Sequence, residues 1–168
     1  CDIYYSIHEG DGWSQAINAG SPLNTKHWET CPSFSPTGDE IYFASNRPGG
    51  VGKADIWKCK VQILPNGKLK FSEAVNLGKE VNSPEDEHSP FIHADNQTLY
   101  FSSKGREGLG GYDVFVTYKT PDKKWTTPIN IGYPINTCQD EVGFIVKETA
   151  DKAYISSDGQ EDNGRGRD

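Results

Sequence analysis

The sequence predicts an all-β fold assembled from repeated, stacked units of short antiparallel strands. A set of landmark residues recurs about every 55 positions along the 168-residue chain. Glycine (18) and proline (10) are abundant and fall where turns would need them. Apolar runs of three to six residues alternate with turn signals, and no long stretch carries helical periodicity.

Glu29, Glu87 and Glu141 head three copies of the repeat. Thirteen residues later each copy has a tyrosine (Tyr42, Tyr100, Tyr154), and three beyond that a serine (Ser45, Ser103, Ser157). An aspartate follows, Asp55, Asp113 or Asp168, and Asp2 stands in the same role at the start of the chain. From that aspartate the chain reaches an aromatic residue (Trp13, Phe71, Trp125) after 11, 16 or 12 residues. Then come an asparagine (Asn18, Asn76, Asn130), a glycine two later (Gly20, Gly78, Gly132) and a second asparagine (Asn24, Asn82, Asn136). Five more residues return to the glutamate. Length varies almost only between the aspartate and the aromatic, which places an exposed hairpin tip there. Two short strands joined by a turn cannot bury their own faces, so such units must stack.

Taken in order, Asp2 to Ile7 and Trp13 to Asn18 read as two strands around a Glu9-Gly10-Asp11-Gly12 turn. Ser33-Phe34 and Ile41-Tyr42-Phe43 flank a Ser35-Pro36-Thr37-Gly38 turn. Asp55 to Leu64 reads as a long strand that Pro65-Asn66-Gly67 turns back into Leu69-Lys70-Phe71, an Asn-Gly hairpin signal. Phe91-Ile92, Leu99-Tyr100-Phe101 and Val114-Phe115-Val116 repeat the scheme. Phe144-Ile145-Val146 and Tyr154-Ile155 begin it a third time.

The segments CPSFSPTGDEIYFASNRPGG and SPFIHADNQTLYFSSKGREGLGGYDVF resemble the PD40 repeat, the WD40-like β-propeller repeat of TolB-like proteins. With NLGKEVNSPEDE and NIGYPINTCQDE between them, the chain is most similar to propellers of envelope proteins that carry an OmpA-like domain. Some of those serve type IX secretion. The resemblance covers nearly the whole chain and implies an all-β propeller of four-stranded blades. Residues 1–28 would be an outer half-blade, 29–86 and 87–140 full blades, and 141–168 an inner half-blade. These sum to about three blade equivalents of a ring, expected to hold six blades. The ring would be completed by a longer parent chain or, for the isolated chain, by a second copy. The repeat's S-P-D-G turn is only approximated at Ser35-Pro36-Thr37-Gly38, and no OmpA-like peptidoglycan-binding segment is present.

Glycine-rich loops expose backbone N–H groups, and a carboxylate that accepts from them pins the loop. Asp2, Asp55, Asp113 and Asp168 are therefore expected to be structural. Asn76 and Asn130, each two residues before Gly78 and Gly132, read as turn formers. Calcium held by these aspartates is the rival reading, without a matching ligand spacing. Glu29, Asp86, Glu87, Asp140 and Glu141, with His88, would gather near one mouth of a propeller channel as a candidate binding site. A glutamate present in every copy is also suited to a frame role, such as pairing with Arg47 or Lys104 or accepting backbone N–H bonds. His88 and His93 have no counterparts in the other copies, so neither marks a metal site by itself.

A net charge of -7 opposes nucleic-acid binding, since phosphate contacts need a basic face. No run approaches the length of a membrane helix. With no Met in it, the chain is expected to be a mature form or a piece of something longer. Cys1, Cys31, Cys59 and Cys138 follow no CxxC spacing and read as unpaired thiols. Cys1 also suits a lipidated first residue, but it fills the same slot as Ala54 and Tyr112 before the repeat aspartate. There is neither a G-x-S-x-G elbow nor a sialidase-type Asp box. The reading is a non-enzymatic module without cofactor, in the periplasm or at the outer membrane, that binds a protein or glycan. Secretion machinery or peptidoglycan-associated proteins are its expected partners. The alternative is the propeller part of a hydrolase whose catalytic domain lies elsewhere.

Overall fold

The computed structural model describes residues 1–159, so Asp168 lies outside the described residues. The first segment forms two short ribbons. β1 (Tyr4–Tyr5) pairs β4 (Ile17–Asn18), and β2 (His8–Glu9) pairs β3 (Gly12–Trp13). Gly10 takes a φ of 58° at the tip, a conformation that costs glycine nothing.

Next comes a five-stranded sheet of β5 (Glu29–Phe34), β6 (Glu40–Ser45), β7 (Asp55–Ile63), β8 (Leu69–Phe71) and β9 (Val75–Asn76). The nine-residue β7 is long enough to pair twice: Trp57 and Lys58 face β9, while Val61 to Ile63 face β8. The Asn-Gly signal is where that hairpin turns, with Leu64 N–H donating to Lys68 O at 2.8 Å. A four-stranded sheet follows, β10 (Glu87–Ile92), β11 (Thr98–Ser103), β12 (Asp113–Tyr118) and β13 (Ile129–Asn130), in sequential antiparallel order. The last pair is β14 (Glu141–Val146) with β15 (Ala153–Ser157).

The innermost strand of each sheet carries the same defect. Register slips between Thr30 and Ser33, between His88 and Phe91, and between Val142 and Ile145. The bulged residue is left-handed in all three: Cys31 (φ 51°), Ser89 (φ 48°) and Gly143 (φ 70°). One copy uses glycine there and two bear the strain of a side chain.

Strands β6 and β11 explain why the sheets stack. Their apolar runs do not alternate with polar residues, so both faces need cover. Tyr42 and Ala44 enter one core with Ile56, Leu99, Phe101 and Phe115, between the second and third units. Ile41 and Phe43 point the other way, into a core with Ile3, Leu23, Trp57 and Phe71. On the far side of β11, Phe91 and Tyr100 pack on Val114, Phe144 and Val146. Each core is thus an interface between consecutive sheets. The repeat tyrosine records this directly: Tyr42 is fully buried, Tyr100 is half-covered, and Tyr154 is 70% exposed.

Candidate functional site

The repeated polar residues wire one sheet to the next. Asn76 Oδ1 accepts from Gly78 N–H (2.8 Å) and from Asn82 Nδ2 (3.0 Å). Asn82 then reaches across to the preceding sheet, accepting from Ile56 N–H (2.7 Å) and donating to Ile56 O (3.1 Å). The same pattern joins Asn18, Gly20, Asn24 and Ile3, and again Asn130, Gly132, Asn136 and Val114. The glycine is left-handed each time, with φ of 64°, 79° and 73°. That geometry turns the chain so that the second asparagine N–H meets the glycine carbonyl at 2.8–2.9 Å.

The aspartates hold the glycine-rich loops. Asp55 accepts from Val51 and Gly52 N–H and from Asn76 Nδ2, and Asp113 accepts from Leu109 (2.9 Å) and Gly110 N–H (3.2 Å). Asp2 lies near the start of the first ribbon and accepts from Asn18 Nδ2 at 2.8 Å. Several loop glycines leave no room for a side chain. A Cβ built on Gly108 would lie 1.8 Å from Asp113 Oδ2. Asp113→Ala is expected to cost about 1–3 kcal/mol, the loss of two charge-assisted bonds in a buried setting. Asp122→Ala, in the exposed hairpin beyond β12, is expected to leave the urea midpoint unchanged. Equal losses in urea melts would overturn the loop-pinning role.

The glutamates were candidates both for a binding cluster at a channel mouth and for a role in the frame, and the structure gives each of them frame partners. Glu29, Glu87 and Glu141 are at most 1% exposed. Glu87 accepts from Ser83 N–H (2.8 Å), Ser83 Oγ (2.5 Å) and Ser103 Oγ (2.7 Å). Glu29 has the same partners in Thr25 and Ser45, and Glu141 in Thr137 and Ser157. Burial drives the Glu87 carboxyl above its ordinary range, against the pull of the hydrogen bonds from Ser83 and Ser103. Arg47 pairs with Glu29 at 3.0 Å, whereas Lys104 sits over the Tyr112 ring instead of on a glutamate. These carboxylates serve the frame because each inner strand starts beneath the preceding loop. Glu29, Glu87 and Glu141 N–H donate to Cys1, Ala54 and Tyr112 O.

Of the remaining candidates, Asp140 Oδ1 accepts from Tyr112 N–H at 2.8 Å and so caps the glycine-rich loop of the preceding sheet. At the equivalent place the backbone of Asp86 forms a parallel β-bridge with Ala54. His88 is different. It is half-buried, and its Nδ1 lies 3.5 Å from Cys31 Sγ on the neighbouring inner strand and 3.2 Å from Ser89 Oγ. The rings of Trp28 and Tyr112 lie 6.0 and 6.1 Å from its ring. His93 is remote from this group, at the other end of β10, near Asp95 and Lys147 O. Among the described residues, no group of three or more His, Cys, Asp or Glu side chains converges on a metal position.

Sequence reasoning named His88 but missed its partner, since Cys31 lies 57 residues away. The repeat alignment carried the signal. Thr30 and His88 are equivalent, so Cys31 follows the Thr30 position on the adjacent inner strand. A second feature also escaped it. A groove of about 660 Å³ opens between the second and third sheets, lined by Glu40, Lys58, Lys119, Lys123, Lys124 and Trp125. There Glu40 pairs with Lys58 (2.5 Å) and Lys119 (3.7 Å), and Lys119 lies over the Trp125 ring.

No family model and no curated protein matches the sequence. In structure, the chain is similar to TolB from Acinetobacter baumannii, known from its crystal structure, with a TM-score of 0.53 and 13% identity. The match covers 96% of this chain, and the chain spans 36% of that structure. Sheets stacked face to face along a row of inner strands, in an arrangement shared with TolB, make this chain part of a β-propeller.

Proposed function

We propose that this chain belongs to a non-catalytic binding module of the bacterial cell envelope, one that holds a protein partner on its blade junctions. The observation that carries this reading is a division of labour among polar residues. Those repeated in every copy are consumed by the frame. The unrepeated Lys58, Lys119, Lys123 and Lys124 line the groove between two sheets, beside Trp125, the repeat aromatic of its copy. A protein partner with acidic and aromatic groups suits such a surface, where side chains at the rim remain in water and an aromatic anchor sits at the junction. In this reading the blades are of PD40 type, the parent protein completes a six-bladed ring, and the location is the periplasm or the outer-membrane surface. Secretion machinery of the type IX class is the partner suggested by the resemblance of the linking segments.

A photo-crosslinking residue placed at Trp125 in the parent protein, within its own cells, tests the reading. One discrete adduct in the envelope fraction is expected, weakened when Lys119 and Lys124 are changed to Glu, and none from Val51 on a distant loop. Cytoplasmic fractionation, or an adduct indifferent to the charge reversal, would count against it. Turnover of a peptide or glycoside by the purified chain would favour the hydrolase reading instead.

A further inference from the structure

Cys31 differs from the other three cysteines in its surroundings. Cys1 and Cys138 are exposed, and Cys59 is buried in strand β7. Cys31 is half-buried at the bulge of β5, where its left-handed backbone turns the side chain toward the next inner strand. Three groups approach its sulfur: His88 Nδ1 at 3.5 Å, Thr30 Oγ1 at 3.5 Å and Ser89 Oγ at 3.6 Å. The other junction of inner strands has no such pairing, because there Ser89 meets the copy carrying Val142 and Gly143.

We propose that Cys31 and His88 form an activated-thiol site that takes small disulfides by thiol–disulfide exchange. The Cys31 proton moves to His88, leaving a thiolate beside an imidazolium. The thiolate attacks one sulfur of the disulfide, a new S–S bond forms to Cys31, and the old S–S bond breaks. The departing thiolate takes the proton from His88, so atoms and electrons balance without a further reagent.

The environment supports that assignment. Burial opposes charging the Cys31 thiol, yet hydrogen bonds from His88, Thr30 and Ser89 outweigh it and bring the group down to about 7. His88 moves upward in response, chiefly through its bond to Cys31. Cys59 behaves oppositely, since burial with no such partner pushes it up to about 11. The Trp28 and Tyr112 rings lie 6.0 and 6.1 Å from the His88 ring, and the net charge of -7 favours a cationic reagent.

Cystamine, a small dicationic disulfide, is therefore the probe, with peptide mass spectrometry reading each cysteine of the folded 168-residue chain. Below both pKa values, a thiol two units more acidic has about 100-fold more thiolate but is about tenfold less nucleophilic per thiolate. Cys31 is thus expected to react at pH 6 about tenfold faster than an ordinary thiol in an unstructured cysteine peptide, with a rate midpoint near pH 7. His88→Gln is expected to move that midpoint upward by more than about one unit and to remove most of the advantage at pH 6. Cys31 reacting no faster than that peptide thiol at pH 6 would overturn the proposal. So would a midpoint that His88→Gln or His88→Asn, checked for intact folding by circular dichroism, leaves in place.

Discussion

Glu29→Ala is expected to be among the most damaging single substitutions in the chain, at about 3–5 kcal/mol. The reason is the group left behind. The Arg47 side chain is 8% exposed and its Nη2 lies 3.0 Å from Glu29 Oε1, so removing the carboxylate strands a buried cation. Thr25 N–H and the Thr25 and Ser45 hydroxyls lose their acceptor at the same time. Glu87→Ala removes a carboxylate with the same hydroxyl and backbone partners but no direct ion pair, and is expected to cost less, about 2–3 kcal/mol. Replacing Arg47 by Leu in the Glu29→Ala background should recover part of the loss, as the unpaired charge goes with it. Urea unfolding of the four proteins measures this. A Glu29→Ala cost no larger than that of Glu87→Ala would mean that the ion pair is not what makes Glu29 costly to lose.

The repeat tyrosines give the second large effect, because one residue type at one repeat position occurs in three environments. Tyr42→Ala should cost about 3–5 kcal/mol, the range for truncating a fully buried aromatic side chain. Its ring meets Trp125 edge-on at 6.3 Å and its hydroxyl donates to Glu40 Oε2 at 2.8 Å. Tyr100, half-covered and 5.2 Å from the Phe144 ring, should cost an intermediate amount. Tyr154→Ala should stay within about 0.5 kcal/mol, because its ring already lies in water. If the three losses were equal, the tyrosine would be serving its own strand, and stacking between sheets would not be what holds it.

Much of this was legible in the residues. Lockstep spacing from Glu29, Glu87 and Glu141 marked the units, because a repeated structural unit needs its turn, clamp and cap residues at fixed offsets. The Asn66-Gly67 hairpin and the aspartate-pinned loops were also readable, since each depends on partners within a few residues. The uninterrupted apolar runs at Ile41 and Leu99 marked strands but not how much cover each would receive. That depends on the next sheet, and Tyr154 differs from Tyr42 only in what lies over it.

What the sequence by itself determined was the unit: where it starts, how it turns and which polar residues close it. Local hydrogen bonds and a period-two pattern act at short range, and they are written in order along the chain. Tertiary structure decided what each polar group is free to do. It sank the three glutamates into the frame, since they lie beneath the loop of the preceding sheet, where only buried donors reach them. It also set Cys31 against His88, because stacking the sheets brings inner strands side by side that are 57 residues apart in sequence.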